Sequence, residues 1–134
     1  MLLLFILGTL IGSFLNVVIF RTPNNQSIIK PRSHCPNCKK MIPFYHNIPI
    51  ISFVLLKARC HNCSKKISIQ YIFVEILTGF LFILAFGNNS ITDGILLSIV
   101  FSCLIIISYI DYYYLLIPSI ILYLLLILII PFSI

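Results

Sequence analysis

From Met1 to Phe20 the chain carries no charged side chain, and its first charge is Arg21. A helix needs about 20 apolar residues to cross the ~30 Å hydrocarbon core of a bilayer, so this run is long enough to span. It has neither a basic stretch in front nor a small-residue cleavage site behind, and its positive flank follows it. A cleaved signal peptide has the reverse order, so the run reads as a retained span. The same pattern recurs downstream. The chain is 60% hydrophobic and 9% charged, with mean hydropathy +1.13. A soluble domain is closer to half apolar and a quarter charged, and too little polar surface exists here to cover a water-soluble globule. In lipid each backbone N–H and C=O must be paired internally, so the expected fold class is an all-α membrane protein.

Charge distribution then sets the orientation. All nine Lys and Arg lie between Arg21 and Lys66, with no acid among them, and the net charge is +6. A short basic loop flanked by apolar runs is retained on the cytoplasmic side. Topology therefore accounts for the basic balance, and no nucleic-acid partner is expected. Anionic lipid is the partner such a loop attracts, at about 1 kcal/mol per basic group near the surface.

About four spans are expected. Residues 1–20 form the first; Gly8 and Gly12 give it a G-x-x-x-G spacing that permits close helix contact. Residues 21–68 form a cytoplasmic segment whose prolines, from Pro23 to Pro49, argue against long helices. Within it, Ile48 to Leu56 is apolar but too short to cross, and reads as a buried strand or, preferably, an interfacial segment. Residues 69–87 form the second span, stopped by Gly87-Asn88-Asn89-Ser90. The remainder, residues 95–134, holds a third span to about Ile110, with Thr92 or Asp93 as N-cap, and a fourth from Ile117-Pro118 to about Ile130. Tyr112, Tyr113 and Tyr114 fall at the inner interface, where aromatic side chains collect. No internal repeat is evident.

The cytoplasmic segment contains Cys35-Pro-Asn-Cys38 and Cys60-His-Asn-Cys63, two C-x-x-C pairs separated by 21 residues, slightly more than the usual zinc-ribbon spacing. Two such turns supply four thiolates at tetrahedral positions. Cys35, Cys38, Cys60 and Cys63 are thus the expected ligands of a structural zinc, a choice that thiolate-rich tetrahedral sites favour. Lys39, Lys40, Lys65 and Lys66 would offset the excess negative charge. The alternatives are free thiols, disulfides, which a reducing cytosol disfavours, or His34 or His61 in place of one Cys. His46 has no partner pattern. Cys103, inside the third span, reads as a small buried hydrophobe. Metal binding would contribute on the order of 10 kcal/mol to a loop with little core of its own.

Asp111 ends the third span. An ionisable group at that depth is a functional candidate, the alternative being a terminal acid that reaches water. Asp93, 18 residues earlier on the same helix, is about 27 Å away at 1.5 Å per residue and cannot pair with it. Glu75 could approach Asp111 or pair with a loop Lys or Arg. Carboxylate-driven hydrolysis takes two such groups, so the chain shows half of a dyad.

The run Gly12-Ser-Phe-Leu-Asn-Val-Val-Ile-Phe-Arg21 is followed in order by Pro31-Arg-Ser-His-Cys-Pro-Asn-Cys38, Asn47-Ile-Pro49, Cys60-His-Asn-Cys63, Val74-Glu75-Ile-Leu-Thr78, Ile110-Asp111 and Ile117-Pro118. This combination resembles the N-terminal half of the bacterial prepilin peptidases (type IV leader peptidases), with the family's N-terminal domain at about residues 8–87. The resemblance implies an aspartic endopeptidase of the bacterial inner membrane. Such an enzyme removes the leader of type IV prepilin-like proteins at the cytoplasmic face, in many members with N-methylation from S-adenosylmethionine. It implies that Asp111 is the first catalytic aspartate. In the family an acid usually follows Ile-Pro; here it is Ser119. The second catalytic aspartate lies in a Gly-x-Gly-Asp motif that these 134 residues do not contain, and no glycine-rich nucleotide loop is seen. The expectation is a truncated or split form, inactive alone, to which a second chain carrying the Gly-x-Gly-Asp half could contribute. A non-catalytic membrane-anchored zinc module and an inactive gene remnant are the alternatives.

Overall fold

A computed structural model describes residues 1–130. Five α-helices occur among them: α1 (Leu2–Arg21), α2 (Ile51–Leu55), α3 (Ile69–Gly87), α4 (Ile91–Tyr114) and α5 (Ser119–Ile129), with one 3-10 turn at Phe44–Asn47. There is no β-strand among the described residues, only isolated bridges at His34–Met41 and Arg59–Lys66. Three helices, α1, α3 and α4, are long and apolar enough to cross a membrane. The fourth expected span appears as α5, an apolar helix with 11 residues among those described, about 17 Å at 1.5 Å per residue. It begins at Ser119, with Pro118 in the N-cap position. Residues 131–134 of the expected third-and-fourth-span region lie outside the described residues.

The bundle closes where α1 meets α3. A Cβ on Gly8 would stand 2.7 Å from the Gly79 Cα, and one on Gly12 would stand 2.8 Å from the Glu75 Cα. Both are backbone contacts that only a missing side chain permits, the use that a small-residue spacing has in lipid, where no hydrophobic force drives helices together. Phe5 and Phe80 stack edge-to-face with centroids 5.3 Å apart near the far end. Towards the loop end, Leu15, Val18 and Ile19 of α1 pack with Val74 of α3 and with Ile105, Ile106 and Ile110 of α4 in one buried cluster.

Two boundaries differ from the sequence expectation. Helix α4 starts four residues earlier than expected, at Ile91, and its N-cap is Ser90 rather than Thr92 or Asp93. The Ser90 hydroxyl accepts from the Asp93 N–H at 3.2 Å, an N-cap bond, and donates to Asp93 Oδ2 at 2.7 Å. At the other end α4 runs past Ile110 to Tyr114, where Leu115 (φ 52°) turns left-handed and donates its N–H to the Asp111 carbonyl at 2.9 Å. The Ile48 to Leu56 stretch is not a strand: it holds the short helix α2, with Ile51, Val54 and Leu55 exposed and Ser52 buried. An outward apolar side is what an interfacial segment requires.

Adding a methyl at Gly8 should overpack α1 against α3 backbone. Gly8→Ala is expected to destabilise the chain by roughly 1–3 kcal/mol. Gly87→Ala, whose Cβ meets nothing nearer than the Met1 Cε at 4.0 Å, should stay within about 0.5 kcal/mol. Thermal unfolding of the two variants in detergent checks this, and equal melting curves would contradict the close-contact account.

Candidate metal centre and the polar groups around it

Both cysteine pairs are built by the same backbone turn. In the first, the Cys35 N–H donates to the Lys40 carbonyl at 3.0 Å and the Cys35 carbonyl accepts from the Lys39 N–H at 2.9 Å. In the second, Cys60 repeats these bonds with Lys65 and Ser64, both at 2.9 Å. The left-handed residue that reverses the chain is Lys39 (φ 56°) in one and Ser64 (φ 57°) in the other, a conformation that costs a non-glycine residue about 1–2 kcal/mol. The two bridges, His34–Met41 and Arg59–Lys66, close the two turns. Residues 34–41 and 59–66 are therefore a structural repeat that residue identities alone did not make evident.

The turns face each other. Sγ–Sγ separations are 3.7 Å for Cys35–Cys63 and 4.0 Å for Cys38–Cys60, and all four sulfurs lie within 4.8 Å of one another. A disulfide would need about 2.05 Å, and all five cysteines are free. For a tetrahedral ion with metal–sulfur bonds of about 2.3 Å, the edge between sulfurs is about 3.8 Å. The four expected cysteines thus fit a thiophilic ion, and no histidine belongs to the cluster. His34 Nδ1 lies 3.2 Å from the Arg32 carbonyl. His61 packs on His46 with ring centroids 4.8 Å apart, and His46 packs on Tyr45 at 4.6 Å, so His46 tethers the second turn to the Phe44–Asn47 turn. Lys65 Nζ donates to Asn37 Oδ1 at 3.3 Å, linking the two turns directly.

Without metal the thiols share their protons unevenly. The Lys65 backbone N–H, then the Asn37 side chain, draw Cys63 down to about 6. Cys38 is pushed up to about 11: the Lys40 N–H favours its thiolate, but desolvation and the three neighbouring sulfurs outweigh it. Cys35 is opposed by burial, yet the N–H groups of Cys38 and Asn37 hold its thiol below the usual value.

The carboxylates have different fates. Glu75 is 7% exposed, and its Oε2 accepts the Ile50 N–H at 2.9 Å. Its partner is loop backbone, not a Lys or Arg, and the structure does not pair it with Asp111. Ile50 sits at φ 61°, ψ −53°, an outlier for a β-branched residue. Glu75 thus fastens α2 to the bundle. Asp111 is exposed in the last turn of α4. Asn24, just after α1, donates to the Tyr114 hydroxyl at 3.3 Å, so the cysteine loop and the end of α4 leave the bundle at the same end. Two polar residues of α1 have bonding roles that the sequence did not indicate. Asn16 is buried, donates to the Tyr71 carbonyl at 3.1 Å, and leaves its Oδ1 without a partner. Arg21 is buried and donates to the carbonyls of Ser27 and Pro31, each at 2.8 Å. The signal for Asn16 was its place four residues after Gly12, on the face that packs.

Residues 6–88 match the family described as bacterial Peptidase A24 N-terminal domain. The chain belongs to that family. It is 54% identical over 79 residues to a prepilin leader peptidase/N-methyltransferase of Myxococcus xanthus, covering 59% of this chain and 24% of that protein. Proteins of the same name are 38% identical in Neisseria gonorrhoeae, over 79% of this chain and 46% of the relative, and 38% in Bacillus subtilis, over 87% and 48%. The chain spans less than half the length of these relatives. No solved structure matches it significantly. All four cysteines fall inside the Peptidase A24 match; Asp111 lies beyond it.

Two outcomes follow. Zinc should bind the purified chain one to one, and Cys35→Ser should abolish that binding. At pH 7.5 the Cys38 proton must leave as the ion binds; below about pH 6 the Cys63 thiol also holds a proton, so affinity should fall more steeply there than between pH 7 and 8. Chelator competition across that range reads this directly, and a flat profile would contradict thiolate ligation. Separately, Glu75→Ala leaves the Ile50 N–H unpaired, at about 1–3 kcal/mol. Amide exchange over residues 48–56 should accelerate while zinc content stays the same.

Proposed function

We propose that this chain carries the zinc-ordered N-terminal part of a prepilin leader peptidase, together with one of its two catalytic aspartates, Asp111. The observation that carries the reading is the shared end: the four-cysteine loop and the last turn of α4 emerge from the bundle side by side. A protease that cuts a membrane-anchored substrate just outside the bilayer needs its acid at that depth, beside a polar domain that can hold the substrate's soluble end. By the positive-inside rule that end is cytoplasmic. Zinc would be held by Cys35, Cys38, Cys60 and Cys63. With all four positions taken by protein its contribution is structural, ordering a loop that otherwise has little core.

Asp111 would act as one of two carboxylates that share a proton and position the attacking water. The 134 residues hold no Gly-x-Gly-Asp motif, so the second carboxylate comes from residues outside this sequence, on a further segment or a second chain. The relatives' printed name also includes N-methyltransferase; methylation of the newly exposed N-terminus, with S-adenosylmethionine as donor, is the extension that the family resemblance implies.

By themselves these 134 residues should not cleave a type IV prepilin in detergent. Co-expression with a segment bearing the Gly-x-Gly-Asp motif should produce cleavage, and Asp111→Asn should lower it by roughly 10²–10⁴-fold, as expected when a general acid–base pair loses one member. Cleavage that survives Asp111→Asn but not Cys35→Ser would instead favour a zinc module that only binds the substrate.

A further inference from the structure

Arg21 ends α1 and is 6% exposed. Five N–H donors are available on such a group, and the bonds found go to neutral carbonyls, those of Ser27 and Pro31. No acid occurs from residue 21 to residue 66. A charge taken out of water without an opposite charge is costly, and among the described residues no carboxylate pairs with Arg21. Arg21 also borders a cavity of about 320 Å³ between α1 and residues 28–33, and Arg32 borders the same cavity. The remaining polar groups around it are the neutral side chains of Ser13, Ser33 and Asn47. Below this positive mouth the wall is apolar: Leu10 and Phe14, on the outward face of α1, are about half exposed, and Ile29 is 79% exposed.

We propose that this cavity binds the headgroup phosphate of an anionic phospholipid, with Arg21 and Arg32 as its ligands and the acyl chains lying along Leu10 and Phe14. Depth, charge and shape agree. The end of a spanning helix sits where lipid phosphates sit. A planar guanidinium offers a forked, bidentate match to phosphate oxygens. The apolar wall continues into the face of α1 that a bilayer would cover. A free phosphate would use the mouth alone and leave that wall idle. This inference is independent of the peptidase reading, because lipid binding needs neither Asp111 nor a second carboxylate.

The test is lipid retention by the purified full chain in native mass spectrometry, offered phosphatidylglycerol or phosphatidylcholine. Phosphatidylglycerol should be retained at least fivefold over phosphatidylcholine. Arg32→Gln should reduce that retention at least fivefold, and Arg32→Lys should reduce it less. Lys57→Gln, an equal loss of exposed charge away from the cavity, should change it less than twofold. An unchanged cobalt–thiolate spectrum in each variant shows that the loop still folds. Equal losses in Arg32→Gln and Lys57→Gln would overturn the proposal in favour of diffuse attraction. Displacement of the lipid by millimolar inorganic phosphate would overturn it in favour of a free-anion site.

Discussion

The approach of α1 to α3 through Gly8 and Gly12 sets the separation of the two points from which the cysteine loop departs and to which it returns. Helix association in lipid rests on van der Waals contact and a few polar bonds, since lipid tails are as apolar as leucine. Here the contact is backbone on backbone, at Gly79 and at Glu75, and Asn16 adds a bond to the Tyr71 carbonyl one turn further on. With α1 and α3 held this closely, residues 22–68 form an excursion with fixed ends, and the two cysteine turns are folded back towards each other rather than free to separate.

Such an excursion still has to be ordered, and its own apolar content does not achieve that: Ile29, Phe44, Leu55 and Met41 are all exposed. Order comes from two points. At one, four sulfurs converge from turns that each cost a left-handed residue, Lys39 and Ser64. At the other, Glu75 reaches out of the bundle to hold Ile50 in a conformation that costs about 1–3 kcal/mol. With Asn25, Lys57 and Ala58 also left-handed, strain at six non-glycine positions of the loop is tolerable only if something overcompensates. An ion held by the four thiolates would do so, with apparent binding energies of about 10 kcal/mol or above.

Where the chain changes character abruptly, the sequence was a sufficient guide. The first span was expected over residues 1–20 and the helix is Leu2–Arg21; the second was expected over residues 69–87 and the helix is Ile69–Gly87. A charge or a cluster of turn residues marks each limit. Helix α4 was harder. Its start was expected near residue 95, yet Gly94 is a buried helical residue whose missing side chain admits the Phe86 ring, and the cap depends on a bond between Ser90 and Asp93. The sulfur cluster was legible because C-x-x-C spacing is local. The roles of Asn16, Arg21 and Glu75 were not, because each bonds to a backbone group whose position follows from the tertiary arrangement.

The three acids make the strongest case for where chemistry belongs. Asp93 is consumed in capping α4. Glu75 is consumed in holding Ile50, and it is buried where a substrate could reach it only by displacing that segment. Removing either would cost structure. Asp111 stands apart: it is exposed, and no side-chain hydrogen bond engages its carboxylate among the described residues. It also sits in the last turn of α4, where the helix dipole opposes a negative charge. Among the described residues no contact gives an acid at that position a structural role. A carboxylate that the structure does not use, at the end of the bundle where the cysteine loop also emerges, is available for a reaction, and the proposed catalytic role therefore rests on Asp111 rather than on the more deeply set Glu75.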